Sequence, residues 1–99
     1  MAFRVVWTQT ASSDLQAIVR YIASENPNAA RLIAERILDQ IEGAAAFPFS
    51  GRVVPEKHDD TMRERILRPY RIVYTVDESD RVIHVVRIWH AARGEPEID

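Results

Sequence analysis

Apolar and polar residues alternate along Tyr70-Arg71-Ile72-Val73-Tyr74-Thr75-Val76, the period of two expected of a strand with one buried face. The β-rich pattern extends to both sides, so the last third of the chain reads as three strands, at about 62–67, 70–77 and 81–90. Arg68-Pro69 breaks the first from the second, and Asp77-Glu78-Ser79-Asp80 makes a hairpin loop of ordinary length. A further short strand is predicted at residues 2–7.

Between these runs the period changes. Ala11, Leu15, Ile18, Val19 and Ile22 lie on one face of an amphipathic helix. Thr8 or Thr10 can cap it, and Asp14 is placed to complement its dipole. Asn26-Pro27 restarts the helix, since asparagine caps well and proline fits the first helical position. Ala30, Ile33, Ala34, Ile37, Leu38, Ile41 and Ala45 form the second stripe, with fraying expected near Ala44 because Gly43 weakens the last turns. Residues 48–52 read as a turn and the polar stretch up to Thr61 as a surface loop. The resulting order is β-α-α-β-β-β, an α+β fold with a helical hairpin packed on a small, largely antiparallel twisted sheet.

The 99 residues suit one domain, 1–99, built on a single core. The absence of cysteine excludes disulfides, thiolate metal sites and a cysteine nucleophile. No cofactor is expected, and three histidines without ligand spacing do not make a metal site. His58 reads as solvated and His84 as a packing residue. No signal pattern or membrane-length apolar run is visible, which fits the cytoplasm. A net charge of −2 argues against unaided nucleic-acid binding. Charge is uneven all the same: residues 63–71 carry four arginines against Glu64 alone, while acids collect at 77–80 and 95–99. A cationic side of the sheet, free for a macromolecular partner, is the expectation that follows.

The ordered set Trp7-Thr8, Ala11, Asp14-Leu15, Ile18, Tyr21-Ile22, Pro48, Gly51-Arg52, Pro69-Tyr70-Arg71-Ile72-Val73-Tyr74 and His90-Ala91-Ala92-Arg93 resembles the RelE/ParE superfamily of type II toxins, closest to its ParE branch. That resemblance implies a toxin neutralised by a cognate antitoxin, in a hetero-oligomer, with a homodimer left open. It implies DNA gyrase as the target of a ParE-like member and ribosome-bound mRNA as that of a RelE-like one. An attenuated toxin serving as partner and co-repressor of its antitoxin is a third reading.

For a nuclease, Arg65, Arg71 and His90 are the candidate catalytic residues, with Arg65 and Arg87 joining Arg71 on one sheet face and Glu56 or Glu64 as partner. A structural Arg71 paired to Glu64 is the competing reading. No tyrosine follows Tyr74, whereas RelE-like nucleases resembling this chain carry one near the C-terminus. A gyrase-binding toxin with no catalytic residues is therefore the leading expectation, with Arg87, His90, Arg93 and the exposed tail as target-binding candidates. Antitoxin contacts are expected from Leu15, Ile18, Leu32 and Leu38 on the helices and from Arg63, Arg65 and Arg71 on the sheet. Trp7 and Trp89 read as core.

Overall fold

The computed structural model describes residues 2–98. Strand β1 (Arg4–Trp7) is followed by helices α1 (Gln9–Ala23) and α2 (Pro27–Ala46). Next come a short strand β2 (Arg52–Val53) and a meander of β3 (Met62–Leu67), β4 (Tyr70–Asp77) and β5 (Val82–His90). The sheet order is β1-β5-β4-β3-β2. All neighbours are antiparallel except β1, which runs parallel to β5 from Arg4↔Val82 to Trp7↔Val85. The expected α+β architecture is present. Strand β2 escaped the sequence reading because two residues ahead of Pro55 are too short to show alternation.

The helices start where their caps dictate. Thr8 Oγ1 accepts from the Ala11 N–H at 3.1 Å and donates to the Val85 carbonyl at 2.9 Å, so the cap also anchors α1 to β5. Asn26 Oδ1 accepts from the Ala29 N–H at 3.1 Å, with Pro27 at the first helical position. Contrary to the expected fraying, α2 stays helical to Ala46. Ala44 and Ala45 are buried there, and the Ala45 carbonyl accepts from the Phe3 N–H at 2.8 Å. Gly43 has a steric reason: a Cβ there would come within 2.9 Å of the Arg65 guanidinium, which lies against the helix.

Ala11 of α1 and Ile37, Ile41, Ala44 and Ala45 of α2 pack on Ile72, Tyr74, Val76, Ile83, Val85 and Ile88 of the sheet. Val85 and Ile88 are three residues apart and would face opposite ways on a regular strand. A bulge resolves this, since Val73 pairs with Arg87 but Tyr74 pairs with Val85, leaving Val86 as the extra residue. Both apolar side chains thereby reach the helices.

The other face of the sheet is covered too. Val73 and Trp89 alternate with core residues, so they point away from the helices, yet both are fully buried. The loop after β2 reaches this face through Glu56, bound to Arg71, and the tail through Gly94 and Glu97, bound to Trp89 and Arg87; Val54 and Pro96 are buried in loop and tail. Trp89 is therefore core as expected, but in a second, smaller layer. The expectation of an open cationic face is overturned, because loop and tail lie across it.

Candidate functional site

On this covered face the sequence places Glu64 opposite Val73, and Arg71 two residues along from Val73 on the same side. The two charged side chains are thus set diagonally within reach of each other. Arg71 is only 8% exposed. It donates from Nε to Glu64 Oε1 at 2.6 Å and from Nη2 to Glu64 Oε2 at 3.2 Å. It also donates from Nη1 and Nη2 to the two Glu56 oxygens, at 3.1 and 2.8 Å. Glu64 accepts in addition from Arg52 Nε. Among the described residues no buried side-chain nitrogen or oxygen lacks a partner.

The Arg71 hydrogen bonds hold the Glu56 carboxyl below its ordinary value, and Glu56 in turn keeps Arg71 charged more firmly than a free arginine. A lowered carboxylate pKa contributes stability above the unfolded value that is lost as pH falls through the folded one. Glu56→Gln is expected to cost about 1 kcal/mol at neutral pH, a cost that shrinks as pH falls through the folded-state value of Glu56, in denaturant titrations at neutral and acid pH.

The remaining arginines go separate ways. Arg65 pairs with Ile72, so it lies on the helix-bearing face, opposite to Arg71. There it donates to Gln40 Oε1 and Ser50 Oγ, each at 2.8 Å. Arg63 binds the Asp60, Phe49 and Gly51 carbonyls and lies over the Phe49 ring. Arg87 clamps Asp14 at 2.8 and 2.9 Å, and the Ile88 N–H donates to the same carboxylate at 3.0 Å. Asp14 thus ties α1 to the edge of β5 and does not stand in the first helical turn, where the dipole argument placed it. The expected grouping of Arg65 with Arg71 on one face fails on strand register alone.

One register position along, where Tyr70 pairs with His90, the structure does bring residues together. Ile18, Tyr21 and Ile22 of α1, with Tyr70, Ile88, His90 and Arg93, line an apolar groove of ≈ 330 Å³. Tyr70 meets His90 edge-on, with ring centroids 5.5 Å apart, and burial raises the Tyr70 phenol pKa. His90 Nδ1 accepts from the Ala92 N–H at 3.1 Å, which starts a short 3-10 turn over Ala91–Arg93 and swings Arg93 over Trp89, 3.9 Å from its ring centroid. His90 and Arg93 share this groove, whereas Arg87 is held beside it by Asp14. Tyr21, 77% exposed at its rim, was not among the candidate contacts, although its place one turn after Ile18 would have put it there.

A second groove of ≈ 290 Å³, formed by Ala29, Leu32, Ile33, Arg36 and Pro69, adjoins the first through Ile22 and Tyr70. Leu32 and Leu38 remain 46% and 44% exposed, while Leu15 and Ile18 pack partly against the core. Arg71 is enclosed by Glu56 and Glu64 and presents little surface to a partner.

A sequence model describing the ParE toxin of the type II toxin–antitoxin system parDE matches residues 5–94. Toxin RelE2 of Caulobacter vibrioides is 41% identical over 91 residues, covering 91% of this chain and 97% of that protein. Among solved structures, the chromosomal ParDE toxin–antitoxin system of P. aeruginosa superposes with a TM-score of 0.71 at 23% identity, over 90% of this chain and 96% of the other. A mutant of the E. coli toxin RelE in the free state superposes with a TM-score of 0.69 at 17% identity, over 96% and 90%. These two structures share the fold, and the sequence matches carry the family. The chain belongs to the ParE toxin family of type II toxin–antitoxin systems.

Proposed function

We propose that this toxin acts by binding rather than by catalysis, engaging DNA gyrase and arresting replication, and that a cognate antitoxin neutralises it. The observation that supports binding most is the state of Arg71, with four hydrogen bonds directed to Glu56 and Glu64. RNA cleavage needs cations facing the phosphate and an acid–base pair at one point. Here Arg71 faces the covered side of the sheet, Arg65 is tied to α2, and His90 lines a groove beside α1. The surface assigned to the target is that groove, with His90 and Arg93 as its polar contacts and Tyr21 and Tyr70 as aromatic ones. Gyrase as target implies action in the cytoplasm, and among the described residues no helix is long and apolar enough to cross a membrane.

The antitoxin is assigned to the helical side, where an amphipathic helix would cover Leu32 and Leu38 with the edges of Leu15 and Ile18. Its acidic residues would meet Arg63 and Arg65. Leu32→Glu together with Leu38→Glu is expected to weaken the complex about tenfold or more while moving thermal stability little, since both residues are exposed. Calorimetric titration with the antitoxin, beside a melting curve, checks both halves.

Purified toxin added to gyrase and relaxed plasmid should abolish supercoiling or trap broken DNA. The similarity to a protein named RelE2 makes a ribosome-dependent nuclease the second reading. Codon-positioned cuts on programmed ribosomes, with gyrase unaffected, would establish that reading instead. Tight antitoxin binding with neither effect would leave the attenuated toxin.

A further inference from the structure

One backbone hydrogen bond fixes the chemistry of His90. Its Nδ1 accepts from the Ala92 N–H at 3.1 Å. A backbone N–H can only donate, so the proton of the neutral ring sits on Nε2. Nε2 has no hydrogen-bond partner among the described residues, and it is not sealed from solvent, since every buried side-chain nitrogen there has one. His90 lines the apolar groove together with Ile18, Ile22, Tyr70 and Ile88. An unused N–H donor therefore belongs to this site, set by the same bond that starts the turn leading to Arg93.

The polar chemistry of the groove is one-sided. Arg93 rests on the Trp89 ring and forms no hydrogen bond or ion pair among the described residues. The Tyr70 hydroxyl forms none either, and burial, by raising its pKa, keeps the phenol protonated. Asp14 is the one carboxylate among the lining residues. Both its oxygens are taken by Arg87, and the Ile88 N–H adds a third bond, so it has little acceptor capacity left for a ligand. The site thus presents donors and one positive charge beside an aliphatic floor. A phosphodiester would match the charge and leave the floor uncovered. A protein segment that sets a carboxylate next to apolar side chains satisfies both.

We infer that the groove takes an apolar segment of the target protein by its carboxylate, received by His90 Nε2–H and Arg93. His90 has a second task, positioning Arg93 through the Ala92 cap. This rests on the reading that the groove is the surface that meets the target.

The experiment titrates the full isotope-labelled chain with N-acetyl-Leu-Glu-Leu-amide and with its glutamine counterpart, followed by magnetic resonance. The glutamate peptide is expected to shift the His90 and Arg93 side-chain signals and to bind about tenfold tighter, the gain of a charged over a neutral acceptor. Two variants separate the tasks of His90. His90→Asn keeps an oxygen that caps the Ala92 N–H and lacks the reach of Nε2. His90→Gln keeps an N–H near the Nε2 position and caps poorly. Amide exchange at Ala92 should quicken in His90→Gln only, while His90→Asn should bind the glutamate peptide about fivefold more weakly than the natural chain. Equal shifts from the two peptides, or none from either, would overturn the carboxylate assignment. Inorganic phosphate shifting the same signals as strongly would overturn it in favour of a nucleic-acid backbone. Unchanged Ala92 exchange in both variants would remove the positioning task. Glutamate-selective binding that fails to relieve gyrase inhibition at saturating peptide would uphold the chemistry of the groove and remove gyrase as its occupant.

Discussion

Replacing Arg71 with alanine is expected to destabilise the fold by about 3–5 kcal/mol, the cost of leaving buried charge uncompensated. Glu64 is fully buried and would keep only Arg52, whose own side chain is 57% exposed. Glu56 would lose its anchor, and with it the loop over Val54 would loosen. Denaturant titrations of Arg71→Ala and the natural chain measure the loss. A variant within 1 kcal/mol or so of the natural chain would mean that the cluster carries little of the stability assigned to buried pairs.

The second large effect is functional. Removing His90 and Arg93 together by alanine substitution is expected to reduce gyrase inhibition about thirtyfold or more, the range found where arginine and aromatic anchors centre an interface. Stability should change far less, because Arg93 contributes one cation–aromatic contact and His90 one edge-on contact and one cap. A titration of gyrase supercoiling with the double variant, beside its melting curve, separates the two. Full inhibition by a folded double variant would move the target surface elsewhere on the toxin.

Much of this fold could be read from the chain because local signals agreed with one another. The Asn26-Pro27 restart, the Thr8 cap and the alternation through Tyr70–Val76 each named an element that the structure contains. What could not be read depended on pairing between distant residues. The parallel match of β1 with β5 joins segments separated by both helices and the whole meander, and no local pattern encodes it. The bulge at Val86 resets which side chains face the helices, so alternation along β5 misleads beyond that point. The arginines were visible as a charge excess, but their partners were not. Arg71 to Glu56 spans 15 residues and Arg87 to Asp14 spans 73. Composition therefore suggested a free cationic surface where register and loop packing produce a neutralised one. His90 was singled out by its imidazole chemistry at the end of the sheet, and Arg93 through the family resemblance. The groove around them needed Tyr70 and Tyr21, which arrive from two different layers.

The arginine–carboxylate cluster is read here as a structural pairing that is costly to break on one side and takes no part in chemistry. Glu64→Leu combined with Arg71→Met removes the cluster while preserving apolar volume, a replacement that is often neutral or stabilising for a buried pair. The measurement is the activity of this double variant, once its melting curve shows it folded, on gyrase with relaxed plasmid and on mRNA-programmed ribosomes. The expected result is gyrase inhibition equal to that of the natural toxin and no mRNA cleavage by either protein. A folded double variant that has lost an mRNA cleavage present in the natural toxin would contradict it.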